Sequence, residues 1–97
     1  MSKEEATWFV YLIRTRHNAL YCGVTNDLQR RFAQHVNGTG AKALRGKGPL
    51  SLVWSIKVAN KSQALKVEYR IKQLKKPLKE SLVSGENPKL LESMLCE

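Results

Sequence analysis

The first apolar run of the chain, Trp8-Phe9-Val10-Tyr11-Leu12-Ile13, is short, aromatic and β-branched, and it stops at the polar stretch from Arg14 to Asn18. That pattern predicts a buried strand. Leu20-Tyr21-Cys22-Gly23-Val24 follows as its hairpin partner. Setting Tyr11 opposite Tyr21 places the turn around Arg16 and Phe9 against Gly23. Strand side chains alternate, so the two tyrosines share one face with their β-carbons roughly 5 Å apart, and Gly23 leaves open space beside them. The pair is either a substrate floor or a piece of core with hydroxyls at its edge. Further on, Leu50, Leu52, Trp54, Ile56 and Val58 alternate with Ser51, Val53, Ser55 and Lys57. This period of two predicts a third strand with one buried face.

Two helices are written at a different period. Asn26 with Gln29 three residues on resembles a capping box, and Leu28, Phe32 and Val36 then recur every fourth residue, predicting an amphipathic helix over residues 27–37. On its wheel Arg31 and His35 stack at i,i+4 on one border of the apolar stripe, whereas Arg30 points to water. A border histidine is either a hydrogen-bonded packing residue or a catalytic one. Asn60 with Gln63 suggests a second cap, after which Ala64, Leu65, Val67, Ile71 and Leu74 define a buried face to about Lys76. Pro77 breaks this helix and suits the first turn of a short one after it. Gly85 to Pro88 reads as a turn and Lys89 to Leu95 as a last helix.

Ninety-seven residues support one domain, with a core at about 8–80 and a short helical tail at 86–97. Charge narrows the partners. Seventeen Lys+Arg against eight Asp+Glu give +9, and because residues 86–97 carry −2, residues 1–85 carry +11. So basic a surface concentrates polyanions, and nucleic acid is the leading partner class. A ribosomal or architectural protein fits the same composition. Two cysteines, Cys22 and Cys96, make neither a disulfide framework nor a four-ligand zinc site and read as free thiols of a reducing cytoplasm. No apolar stretch approaches a membrane span, and the opening at residues 1–5 is too acidic for a signal peptide.

The segment from Gly38 to Pro49 is glycine-rich and carries Lys42, Arg45 and Lys47 with no acid. It is not a phosphate-binding P-loop, because five residues separate Gly40 from Gly46 and Gly48 stands where Ser or Thr is required. Those three cations are either backbone contacts to nucleic acid or a solvated linker. Glu68 is the only acid of the second long helix and falls on its protein-facing side. A half-buried carboxylate needs a partner: an ion pair with Lys72 at i+4, or a metal.

Taken in order, Phe9-Val10-Tyr11, Tyr21-Cys22-Gly23, Arg31 with His35, and the helical Glu68 resemble the GIY-YIG nuclease superfamily, and in particular its small, stand-alone YhbQ-like members, over about residues 8–80. Two departures stand out. Phe9 replaces the usual first glycine, and the family's late asparagine has only Asn87 as its nearest candidate. The resemblance implies an α+β fold in which a three-stranded antiparallel sheet is flanked by helices. It also implies a metal-dependent DNA endonuclease, structure-dependent and linked to repair or recombination, with Tyr11, Tyr21, Arg31, His35 and Glu68 as catalytic residues.

Glu68 would hold one Mg²⁺ or Mn²⁺. Arg31 would neutralise phosphoryl charge. Tyr11 or His35 would be the base, and Gly23, Lys42, Arg45 and Lys47 would meet the nucleic acid. The alternative is a catalytically weak or inactive nucleic-acid-binding module. All five catalytic candidates are expected on one side of the sheet.

Overall fold

The computed structural model describes residues 7–96; the acidic opening at residues 1–5 and the terminal Glu97 of the tail lie outside the described residues. Three strands, β1 (Trp8–Arg14), β2 (Leu20–Thr25) and β3 (Ser51–Val58), form one antiparallel sheet in the order β2-β1-β3. Helices α1 (Leu28–Val36), α2 (Lys61–Lys72), α3 (Lys76–Ser84) and α4 (Pro88–Leu95) flank it, with a single 3₁₀ turn at Lys42–Leu44. The α+β architecture expected from the sequence is present.

The middle strand explains why its run is apolar at every position rather than at alternate ones. Val10 and Leu12 point to one face and meet Ala64, Val67 and Ile71 of α2, Leu82 of α3 and Met94 of α4. Tyr11 and Ile13 point to the other, where Leu28 and Phe32 of α1 and Leu44 of the 3₁₀ turn cover them. A strand covered on both faces reads as continuously apolar.

Pairing differs from the expected register by two residues: Tyr11 faces Gly23, and Ile13 faces Tyr21. A shift of two preserves parity, so the tyrosines still share a face. The third strand departs further. Leu12 pairs with Trp54 but Ile13 with Leu52, leaving Val53 as an extra residue. This bulge reverses the alternation, so Trp54, Ile56 and Val58 pack with Val10 and Leu12 while Leu50 and Leu52 pack beneath Tyr11 and Ile13. One buried face was expected; one strand serves two cores.

Helix α1 is capped by Asp27, whose carboxylate accepts the Arg30 N–H at 3.2 Å, and not by Asn26. The Thr25 hydroxyl takes the Asp27 N–H at 3.0 Å, which holds the chain extended one residue further than the pattern suggested. Val36 and Leu65, both expected in buried stripes, are 59% and 44% exposed. The face that α2 buries is the narrower Ala64, Val67 and Ile71, and α1 ends at Val36, its last turn set against the sheet by His35. Pro77 does sit in the first turn of α3, and Gly85 closes that helix at φ 76°, a left-handed position suited to glycine. Arg14 joins α3 to β1 through a two-pronged bond to Glu80 at 2.7 and 2.8 Å. Arg14, helped by Lys76, holds the Glu80 carboxyl down at about 2.

Ile71→Ala, at a position with no exposure, is expected to cost about 2–5 kcal/mol, whereas Leu65→Ala should stay within about 0.5 kcal/mol of the parent. Urea melts of the two variants measure the contrast.

Candidate active site

Strand β1 carries Tyr11 into the face covered by α1, where the side chain is 2% exposed. Its ring lies over Gly23 of the neighbouring strand. A β-carbon at Gly23 would overlap the Tyr11 hydroxyl and stand 2.6 Å from its Cζ, so glycine here makes room for the phenol. Tyr21 lies diagonally beside it with ring centroids 6.5 Å apart, and His35 completes a triangle at 5.8 Å from Tyr11 and 5.7 Å from Tyr21.

The centre of this cluster is a buried hydrogen bond of 2.8 Å between the Tyr11 hydroxyl and His35 Nε2. The other ring nitrogen decides its direction. Nδ1 accepts the backbone N–H of Ala41 at 3.1 Å, and a nitrogen that accepts an N–H carries no proton. The neutral ring therefore bears its proton on Nε2 and donates it to the Tyr11 oxygen. Gly40 allows this approach, since a β-carbon there would strike His35 Nδ1 and lie 2.9 Å from its backbone nitrogen. Burial, aided by the Arg31 charge, lowers the His35 pKa and favours that neutral ring.

Arg31 stands one turn before His35 on the same border of α1, as the wheel anticipates, and Gln34 Oε1 accepts from its Nη1 at 3.0 Å. Burial pushes the Tyr11 hydroxyl up to about 12, and Tyr21 adds to the rise; the Arg31 guanidinium pulls the other way without reversing it. Resting Tyr11 is thus a neutral phenol that accepts from His35 and faces a guanidinium. Beside Arg31 opens a polar cleft of about 150 Å³ lined also by Thr25, Asn26, Asp27, Arg30 and Gln34.

Glu68 is placed differently from the expectation. Its helix packs on the opposite face, against Val10, Leu12 and Cys22, so strand parity and helix wheel do not aim all five groups at one side. The side chain is partly exposed on that side. Glu68 Oε2 is 3.1 Å from Lys72 Nζ, the ion pair open as one alternative from the sequence. Lys72, its pKa raised chiefly by that carboxylate, also feels Cys22 and Tyr21, consecutive residues of β2 whose side chains point to opposite faces. Lys72 therefore stands close enough to β2, the edge strand of the sheet, to act on residues of both its faces.

Among the described residues no three His, Cys, Asp or Glu side chains gather as a ready metal cage. A single, partly exposed carboxylate suits a hard ion that keeps most of its waters, and Mg²⁺ or Mn²⁺ meets that description. Asn87 is accounted for elsewhere: it caps α4, accepting the Leu90 N–H at 3.1 Å.

The basic loop is fastened to the site. Leu44, 3% exposed, plugs it onto Tyr11 and Ile13, and the Arg16 N–H donates to Lys47 O at 3.0 Å. Lys42, Arg45 and Lys47 remain exposed. Arg45 lines a cleft of about 170 Å³ that reaches His35, and Lys47 one of about 220 Å³ that reaches Tyr21. The residues that the sequence did not flag are Gln34, Gly40 and Ala41. Gly40 sat in a visible Gly-x-Gly, but the Ala41 contribution is a backbone N–H and leaves no trace in residue type.

A profile of the GIY-YIG catalytic domain matches residues 7–81. A UPF0213 protein of Vibrio cholerae is 70% identical over 79 residues, covering 80% of this chain and 78% of the relative. The UPF0213 protein YhbQ of Escherichia coli is 60% identical over 77 residues, covering 79% and 77%. The solution NMR structure of a UPF0213 protein from Bacillus halodurans superposes with a TM-score of 0.53 at 38% identity, over 80% of this chain and 83% of that one. The chain belongs to the GIY-YIG family.

Proposed function

We propose that this protein is a metal-dependent endonuclease that hydrolyses phosphodiester bonds of DNA, selects its substrate by structure, and acts in the cytoplasm in repair or recombination. The observation that supports it most is the directed bond from His35 Nε2 to the Tyr11 oxygen, with the Arg31 charge also acting on that phenol. An N–H donor on the phenol oxygen and a guanidinium charge nearby both favour negative charge there, which is what a phenol needs to act as a base.

The geometry supports a division of roles. His35 has no free lone pair for a water proton, because Nδ1 is held by Ala41 and Nε2 bears hydrogen. It orients Tyr11. Tyr11 is the group left to position or deprotonate the attacking water, and Tyr21, half-buried beside it, contributes a second hydroxyl to the phosphate. Arg31 supports the phosphoryl charge by its fork of donors. Glu68 would hold Mg²⁺ or Mn²⁺, which when bound would supply positive charge to the phosphodiester. Lys42, Arg45 and Lys47 lead the backbone toward the clefts beside His35 and Tyr21. A weak or inactive binding module is the second reading, supported by the raised Tyr11 pKa and by Lys72 already on Glu68.

A panel of labelled duplex, single-stranded, flap and branched substrates, with and without Mn²⁺, tests the main reading. Tyr11→Phe is expected to lower kcat by about 10²–10⁴. It should also cost about 1–3 kcal/mol of stability, because the buried His35 N–H loses its acceptor. Glu68→Gln should abolish cleavage while binding persists. Wild-type protein that binds the panel but cuts none of it in Mg²⁺ or Mn²⁺ rejects the nuclease in favour of the module.

Replacing Lys42, Arg45 and Lys47 together by Ala should flatten the log–log salt dependence of DNA binding by about two to three. An unchanged slope makes the loop a linker.

The third expectation concerns acid. His35 is folded with a pKa below its ordinary value of 6.5, so as pH falls through that value the unfolded chain takes up a proton that the folded chain resists. Its contribution to stability is complete above 6.5 and is lost as pH drops toward the folded pKa. Melting temperatures of wild type and His35→Gln across this range should converge toward acid; parallel curves contradict the assignment.

A further inference from the structure

The Glu68–Lys72 pair is unequal. The Glu68 side chain is 19% exposed and the Lys72 side chain 52%, so the carboxylate is fixed by packing while the ammonium is tethered on a flexible stem at the last residue of α2. Two neighbouring cations are committed to other tasks. Arg70 donates to the carbonyls of Met94 and Cys96 at 2.8 and 2.5 Å, and Lys76 pairs with Glu80 at 3.2 Å. Lys72 is the cation at this end of α2 that rests on a candidate metal ligand and stands in electrostatic reach of Tyr21.

We propose that Lys72 is a positioning residue of the cleavage site: its ammonium holds the cation place on Glu68 until a divalent ion arrives, and then turns to a phosphate oxygen of the bound nucleic acid. This rests on the reading of Glu68 as the metal-holding carboxylate. Exchange of one cation for another keeps the half-buried carboxylate compensated at every stage. It also couples the two ligands, because metal binding frees a charge that nucleic acid can use and nucleic acid draws away the competitor of the metal.

The test titrates Mn²⁺ alone into wild type, Lys72→Met and Glu68→Gln, followed by calorimetry or by water-proton relaxation, after melting curves show all three folded. Lys72→Met removes the competitor and should bind Mn²⁺ about three- to fivefold more tightly, the range a partly exposed ion pair allows. Glu68→Gln should lose the site. A second readout is the salt dependence of binding to a phosphorothioate duplex that resists cleavage. Wild type and Lys72→Met should have equal slopes in EDTA, and in Mn²⁺ wild type should be steeper by about one. Equal Mn²⁺ affinities in wild type and Lys72→Met, or equal slopes in Mn²⁺, overturn the role of Lys72 and leave the metal site standing. Mn²⁺ binding that Glu68→Gln does not weaken overturns the metal site itself and this inference with it.

Discussion

Much of this molecule is arranged around one hydrogen bond, the 2.8 Å contact between Tyr11 and His35 inside the sheet–helix layer. Two polar groups buried together must satisfy one another, and each has a further condition attached. Tyr11 needs a glycine across the strand pair for its ring to lie flat. His35 needs a backbone N–H on its far nitrogen, delivered by Ala41 after a second glycine lets the loop close in. Strand pairing, helix placement and the course of the basic loop are thus linked through a single pair of side chains. The chemistry attributed to the site uses the same bond that organises the packing.

The sheet also separates two kinds of component. Tyr11, Tyr21, Arg31 and His35 belong to the layer between sheet and α1, where burial moves the pKa of Tyr11 upward and that of His35 downward. Glu68 and Lys72 belong to α2 in the other layer, beside β2, the edge strand of the sheet. The buried donors around Tyr11 and the partly exposed ion pair of α2 are kept apart in this way. The buried thiol of Cys22 lies under that edge with its pKa pushed up to about 12 by burial, so it remains an uncharged spacer.

What could be read from the residues follows from which patterns survive folding. Every long element was visible because period two and period 3.6 are set by backbone geometry, and the break at Pro77 because proline cannot continue a helix. Tyrosine parity survived a register error because a slip of two leaves faces unchanged. The bulge at Val53 was invisible: nothing in an alternating run says where one residue will be skipped, and Leu52 and Trp54 look alike until their partners are known. Arg31 and His35 were legible because i,i+4 fixes a shared border. The layer to which Glu68 belongs was not, since a wheel gives the inward side of a helix but not which face of the sheet the helix covers. Ala41 could not be found from side chains at all.

The central strand, with its apolar side chains shut in on both faces, has a consequence for motion. Val10, Leu12 and Ile13 have no exposure, and pairing on either side ties β1 to both neighbours. Amides of such a strand exchange with solvent only when the whole molecule opens, whereas those of the basic loop and the end of α2 exchange through local fluctuations. Tyr11 is therefore held at the global free energy of folding, whereas the loop cations proposed to meet substrate are drawn from the parts that yield first. A rigid strand thus stands beside a loop that can yield without it.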